Sequence, residues 1–299
     1  MAHFAQAYLA QQRREQRWRW FWRIVWLLVA AAVLVSALRD MAPSTPVAPH
    51  TALVEIRGAI GSDDEANADR LIGSLREAFA DKSARAVVLR INSPGGSPVQ
   101  AGLVNDEIRR LKALHKKKVY AVCEEMCASA AYYIAVAADD IYVDKASVVG
   151  SIGVLMDGFG FVGLMDKLGV ERRLLTSGSN KGMLDPFSPR DPEQESVAHA
   201  MLEQIHEQFI GVVRQGRGKR LKEHEDTFSG LFWNGQQAVQ LGLADRLGSL
   251  DQVAREVVKA EDIVDYTQKD HLVDRLAKRF GAAIGAGAVQ ALRAGATWR

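Results

Sequence analysis

The chain has 299 residues, is 48% hydrophobic and 25% charged, and carries a formal net charge of +2. That profile describes a chain able to bury a core and excludes a wholly disordered one. The charge is nearly balanced, and its positive excess crowds at Arg13, Arg14, Arg17, Arg19 and Arg23, so nucleic-acid binding has little support.

Residues 24–38 contain no charged side chain. With Phe21 and Trp22 in front they approach the ~20 residues that span a bilayer, so residues 21–38 are expected to form one transmembrane helix. Trp18, Trp20, Trp22 and Trp26 sit at the arginine-rich end, where amphipathic rings settle at the headgroup level. The positive-inside bias then keeps a basic segment, residues 1–20, in the cytoplasm. It places everything after Leu38 across the membrane, as in a single-pass protein. A cleaved signal peptide ending near Val35-Ser36-Ala37 is the alternative, but the long aromatic lead-in favours a retained anchor.

Residues 39–51 hold Pro43, Pro46 and Pro49 and read as a linker. From Ala52 short apolar runs alternate with helical patterns. Strands are expected at 52–56, 86–91, 119–122 and 140–143, with others near 152–155 and 172–175. Helices are expected around 66–80, 98–113, 129–138 and 162–168. This alternation predicts an α/β domain over 52–265 with a largely parallel sheet covered on both faces. A further helix over 192–215 presents Val197, Met201, Ile205, Phe209 and Val213 on one side. Residues 266–299 read as a helical tail.

Reactive groups of open α/β sheets gather where strands end. Two stretches stand out there, Asn92-Ser93-Pro94-Gly95-Gly96-Ser97 and Cys123 to Ser129. Proline and paired glycines let backbone amides approach a ligand closely, so Gly95 and Gly96 are candidate oxyanion donors. An ordinary strand-to-helix turn has the same residues. Ser129 opens a helix of small residues, where the dipole favours a developing oxyanion. Serine is also a preferred helix cap.

None of the seven histidines is placed by sequence to activate that hydroxyl, and none shows a metalloprotease spacing, so no metal is expected. Lysine can serve as base when an apolar site keeps it neutral. Lys181 is the candidate, in a Gly- and Ser-rich loop bordered by Met183, Leu184 and Phe187, with Lys145 and Lys167 as rivals. Cys123 and Cys127 match neither a redox C-x-x-C nor a zinc pattern and read as small core side chains. An oxidising compartment would permit a bridge between them, though spacing alone does not set its geometry. The G-x-G-x-x-G at 158–163 is interrupted by aromatic residues and lies late in the domain, so it reads as a turn and not a dinucleotide site.

Five segments carry a resemblance: NSPGGS at 92–97, CASAAYYIAVAADDIYV at 127–143, VVGSIGV at 148–154, TSGSNKGMLDPFSP at 176–189 and WNGQQAVQLGLADRLGS at 233–249. Together they resemble the short form of the signal peptide peptidase A family of serine peptidases, family S49, and are similar to the SohB peptidases. The resemblance implies a ClpP/crotonase-like fold and a membrane-bound homo-oligomer. It also implies hydrolysis of apolar peptides such as remnant signal peptides, without a cofactor. It makes Ser129 the nucleophile, Lys181 its base, Ser151 the residue orienting the lysine, and Gly95 and Gly96 the oxyanion turn. Ala130 and Ala131 depart from the family's usual Gly-Gly and narrow the space beside Ser129. A crotonase-like acyl-CoA enzyme and a non-catalytic membrane scaffold are the competing readings.

Overall fold

The computed structural model describes residues 18–31, 33 and 48–268. The chain divides into two units, Met1–Val47 and Ala48–Arg299. In the first, residues 18–31 and 33 are helical. Trp18 stacks on Phe21 with ring centroids 5.7 Å apart, and the Arg23 guanidinium lies 5.5 Å from the centre of the Trp20 ring. Residues 32 and 34–38 of the expected anchor lie outside the described residues, as do 39–47 of the linker and 269–299 of the tail. No helix among the described residues is long and apolar enough to cross a membrane.

The second unit is built on a sheet of eight strands among the described residues. In chain order they are β1 (His50–Arg57), β2 (Ala84–Ser93), β3 (Lys118–Ala128), β4 (Asp140–Val143), β5 (Val148–Gly150), β6 (Phe232–Asn234), β7 (Arg246–Leu247) and β8 (Ile263–Asp265). The main path runs β6-β5-β3-β2-β1-β8, with β4 between β3 and β7. All pairings are parallel except β5 with β6. The helices are α1 (Ala68–Ala80), α2 (Pro98–His115), α3 (Ala130–Ala135), α4 (Val162–Leu168), α5 (Pro192–Arg217) and α6 (Gly235–Gln240).

Alternation along the strands decides which face is dry. Val54 and Ile56 of β1, Leu89 and Ile91 of β2 and Ala121 of β3 point into one large core, sealed by Leu75 and Phe79 of α1 and by Val104 and Ile108 of α2. Asn67 caps α1 by accepting the Arg70 amide, and Ser97 caps α2, whose first residue is Pro98. The opposite face differs from the expected double cover. A smaller cluster of Val88, Val122, Tyr142 and Val253 covers part of it. Beyond that cluster, Arg90 bridges Glu55 and Glu124, and Arg57 also reaches Glu124.

Other expectations are corrected by pairing. No strand forms at 152–155, because β5 ends at Gly150 and Ser151 turns the chain with φ of 51°, its amide donating to Leu231 O at 2.8 Å. None forms at 172–175, where the apolar residues meet no sheet edge and Leu175 is 97% exposed. The expected helix at 129–138 is confined to Ala130–Ala135. The stretch from Cys123 to Ala128 is strand and not turn. β3 continues through a bulge, pairing β4 with its first half and β5 with its second.

Candidate active site

Ser129 stands where β3 gives way to α3. Its amide donates to Gly150 O at 2.8 Å, and its carbonyl accepts the Tyr133 amide at 3.0 Å. Held from both sides, it takes φ of 54° and ψ of −123°, a conformation that costs a residue with a Cβ roughly 1–3 kcal/mol. The hydroxyl makes no capping bond to the helix, so the simple cap reading does not describe it. Behind it the helix is anchored by Tyr132, whose buried hydroxyl donates to Leu243 O at 2.7 Å. Burial pushes the Tyr132 hydroxyl's pKa well up, so it acts as a fixed donor.

The Pro94-Gly95-Gly96 turn lies against this residue. A Cβ added at Gly95 would sit 2.7 Å from Ser129 Cβ, 2.8 Å from Ala128 O and 2.9 Å from Ala130 N. One added at Gly96 would sit 2.2 Å from Ile60 O. Only glycine fits either place, and both take positive φ, 103° and 149°. Ile60 bridges to the turn: its amide donates to Gly95 O and its carbonyl accepts from Ser97 N, at 2.9 and 2.7 Å. That pairing turns the Gly96 N–H away from Ile60, and no protein acceptor among the described residues receives it. The Gly95 N–H is already engaged, donating to Ser93 Oγ at 3.1 Å. Of the two expected donors, then, Gly96 is the one with its N–H to spare.

Ser151 follows directly on Gly150, the residue that accepts the Ser129 amide, so β5 brings it to the same strand end. No hydrogen bond among the described residues joins Lys181 to Ser129, Gly95 or Ser151. The lysine is exposed on a turn over 178–185, where its amide donates to Gly178 O at 3.2 Å. The apolar shelter expected for it is not formed either, since Leu175 is 97% exposed and Leu184 and Phe187 are also open to solvent. The same loop borders a cavity of about 770 Å³ lined by Met156, Phe159, Leu174, Ser179, Leu184 and His199 among others. Ser129, Gly95 and Ser151 do not line it.

Two partners escaped the sequence reading. Ser93, wholly buried, holds the Gly95 amide, and Ile60 braces the turn from more than thirty residues upstream. Ser93 stood inside a quoted motif, but its use depends on a rotamer; nothing in the local pattern marks Ile60. His206 hydrogen-bonds with the Ile152 carbonyl at 3.0 Å. No group of three or more metal-ligating side chains occurs among the described residues.

The family model described as peptidase family S49 matches residues 112–264. Among curated proteins, the Na(+)/H(+) antiporter NhaA of Brucella melitensis biotype 1 is 50% identical over 178 residues, which cover 60% of this chain and 24% of that protein. A protein of Synechocystis sp. named as a protease, slr0021, is 31% identical over 198 residues, covering 66% of this chain and 69% of its own length. Protease 4 of Haemophilus influenzae is 31% identical over 227 residues, covering 75% of this chain and 36% of that one. The chain thus spans about a quarter of the length of the Brucella protein and about a third of Protease 4.

Proposed function

The chain belongs to peptidase family S49, and from that premise we propose that it is a serine endopeptidase with a Ser129–Lys181 dyad, anchored in a bacterial cytoplasmic membrane with its peptidase domain outside. In this reading Lys181 accepts the Ser129 proton and the alkoxide attacks a peptide carbonyl. The Gly95–Gly96 turn receives the oxyanion, chiefly through the Gly96 amide, and such a donor is worth about 3–4 kcal/mol to the transition state. The amine product leaves with a proton, and water releases the acyl group. Ser151 orients the lysine. The fold is read as ClpP/crotonase-like.

The observation that carries the proposal is the backbone of Ser129. A serine held in a costly conformation, its hydroxyl unused by the helix and a glycine turn packed on its Cβ, is arranged for chemistry and gives nothing evident to stability. Substrates are apolar peptides, including remnant signal peptides, reached from the outer face of the membrane. The protein is a homo-oligomer: Leu155, Phe159 and Leu175 are 79%, 80% and 97% exposed in one chain, and an assembly that covers them also shelters the lysine loop.

The test compares casein hydrolysis and fluorophosphonate labelling in wild type, Ser129→Ala and Lys181→Ala, with assembly size measured for each. Both variants are expected to lose hydrolysis with assembly intact. Hydrolysis that survives Ser129→Ala rejects the proposal, as does a wild type that neither cleaves nor labels.

A further inference from the structure

The bulge in β3 gathers the chain's two cysteines. β2 and β3 run in step from Ala86 opposite Lys118 to Ile91 opposite Cys123, and the next matched pair is Ser93 opposite Cys127. Two steps along β2 therefore face four along β3. A strand advances about 3.3 Å per residue, so the bulge brings the Cα atoms of Cys123 and Cys127 to about 6.6 Å, where a regular strand would hold them about 13 Å apart. Disulfides join Cα atoms roughly 4.4–6.8 Å apart. Both side chains enter the same apolar cluster and are 2% and 0% exposed. Burial pushes the Cys127 thiol up, and the neighbouring Cys123 thiol adds to this. Both are free thiols here.

We propose that Cys123 and Cys127 are an intrachain redox pair that closes a disulfide across the β3 bulge in an oxidising compartment and fixes the strand end that carries Ser129. The oxidant is a disulfide, small-molecule or protein. One cysteine thiolate attacks a sulfur of that disulfide, giving a mixed disulfide and releasing one thiol. The second thiolate attacks the cysteine sulfur of the mixed disulfide and releases the other. The pair gives up two protons and two electrons, and the oxidant becomes two thiols. Because both groups are buried, exchange proceeds as the bulge opens or before the core closes over it. The bridge ties Cys123 to Cys127 around Glu124, Glu125 and Met126. Cys127 pairs with Val149 and Ala128 with Gly150, the residue that accepts the Ser129 amide, so the constraint passes directly to the nucleophile's backbone. The inference rests on strand register and holds whether or not Ser129 is catalytic.

The full chain is incubated folded with oxidised glutathione, and in a second arm refolded in the same redox buffer. It is then denatured, alkylated without reductant and digested with trypsin. Cleavage after Lys118 and Lys145 leaves both cysteines in one peptide. That peptide is expected to be unalkylated and two hydrogens lighter in at least one arm, and to take two alkyl groups after reduction. Full alkylation without reductant in both arms overturns the proposal, as does a bridge that links two chains. In the bridged protein, amide hydrogen exchange over 124–128 is expected to slow several-fold relative to the reduced form. Unchanged exchange refutes the fixing of the strand end.

Discussion

Gly95→Ala isolates the fit between the glycine turn and Ser129. The new methyl would lie 2.7 Å from Ser129 Cβ, while carbon atoms pack at about 3.5–4.0 Å, so turn or serine must retreat by about 1 Å. The other two contacts, Ala128 O at 2.8 Å and Ala130 N at 2.9 Å, are backbone and cannot swing aside. Holding φ of 103° with a Cβ adds about 1–3 kcal/mol, and overpacking a filled site adds about 1–3 kcal/mol more. The expected loss is thus about 2–6 kcal/mol, read as a lower urea midpoint by tryptophan fluorescence. Displacing a nucleophile by about 1 Å lowers reaction by about 100-fold, read as the rate of fluorophosphonate labelling under folding conditions. Gly102→Ala in α2 is the control: nothing lies within 4 Å of its added Cβ, and removing a helical glycine stabilises by about 0.5–1 kcal/mol. Gly95→Ala with wild-type midpoint and labelling rate refutes the packing argument. A lowered midpoint with undiminished labelling removes the turn from the site.

Arg217, 1% exposed, bonds both carboxylate oxygens of Asp245 at 2.8 and 2.9 Å and the Gly242 carbonyl at 2.8 Å, tying α5 to the turn before β7. Burial would raise the Asp245 carboxyl, but the Arg217 bonds and charge prevail and hold it low. Asp245→Ala strands a buried guanidinium and is expected to cost about 3–5 kcal/mol in a thermal melt; a superimposable melt contradicts this. Glu107 is held at about 2 by the bonds of Arg110, which overcome its burial, with Arg76 assisting. Its folded pKa lies below the ordinary 4.5, so its contribution is complete above pH 4.5 and drains as pH falls toward 2. Glu107→Gln should flatten the stability profile across that window, and an unchanged acid slope argues otherwise. In the proposed homo-oligomer, Leu175→Asp together with Phe159→Asp should lower the mass measured by sedimentation, because charges then occupy the exposed apolar surface. An unaltered mass places the subunit contact elsewhere.

The sequence by itself determined the alternation of β1, α1, β2 and α2, the span of α5, and the strand end at which Gly95 and Gly96 stand. Those features are local: hydrophobic period, capping residues and turn chemistry act within a few positions of one another. Tertiary structure alone decided that β3 runs on through Glu124 and Glu125, that β6, β7 and β8 complete the sheet in two or three residues each, and that 172–175 pairs with nothing. It also decided that Ser93 takes the Gly95 amide, and that Lys181 lies open in a single chain. Each of these depends on which strand edge or side chain, distant along the chain, is present to accept a bond or cover a surface, and a pattern that repeats every two or four residues carries no record of it.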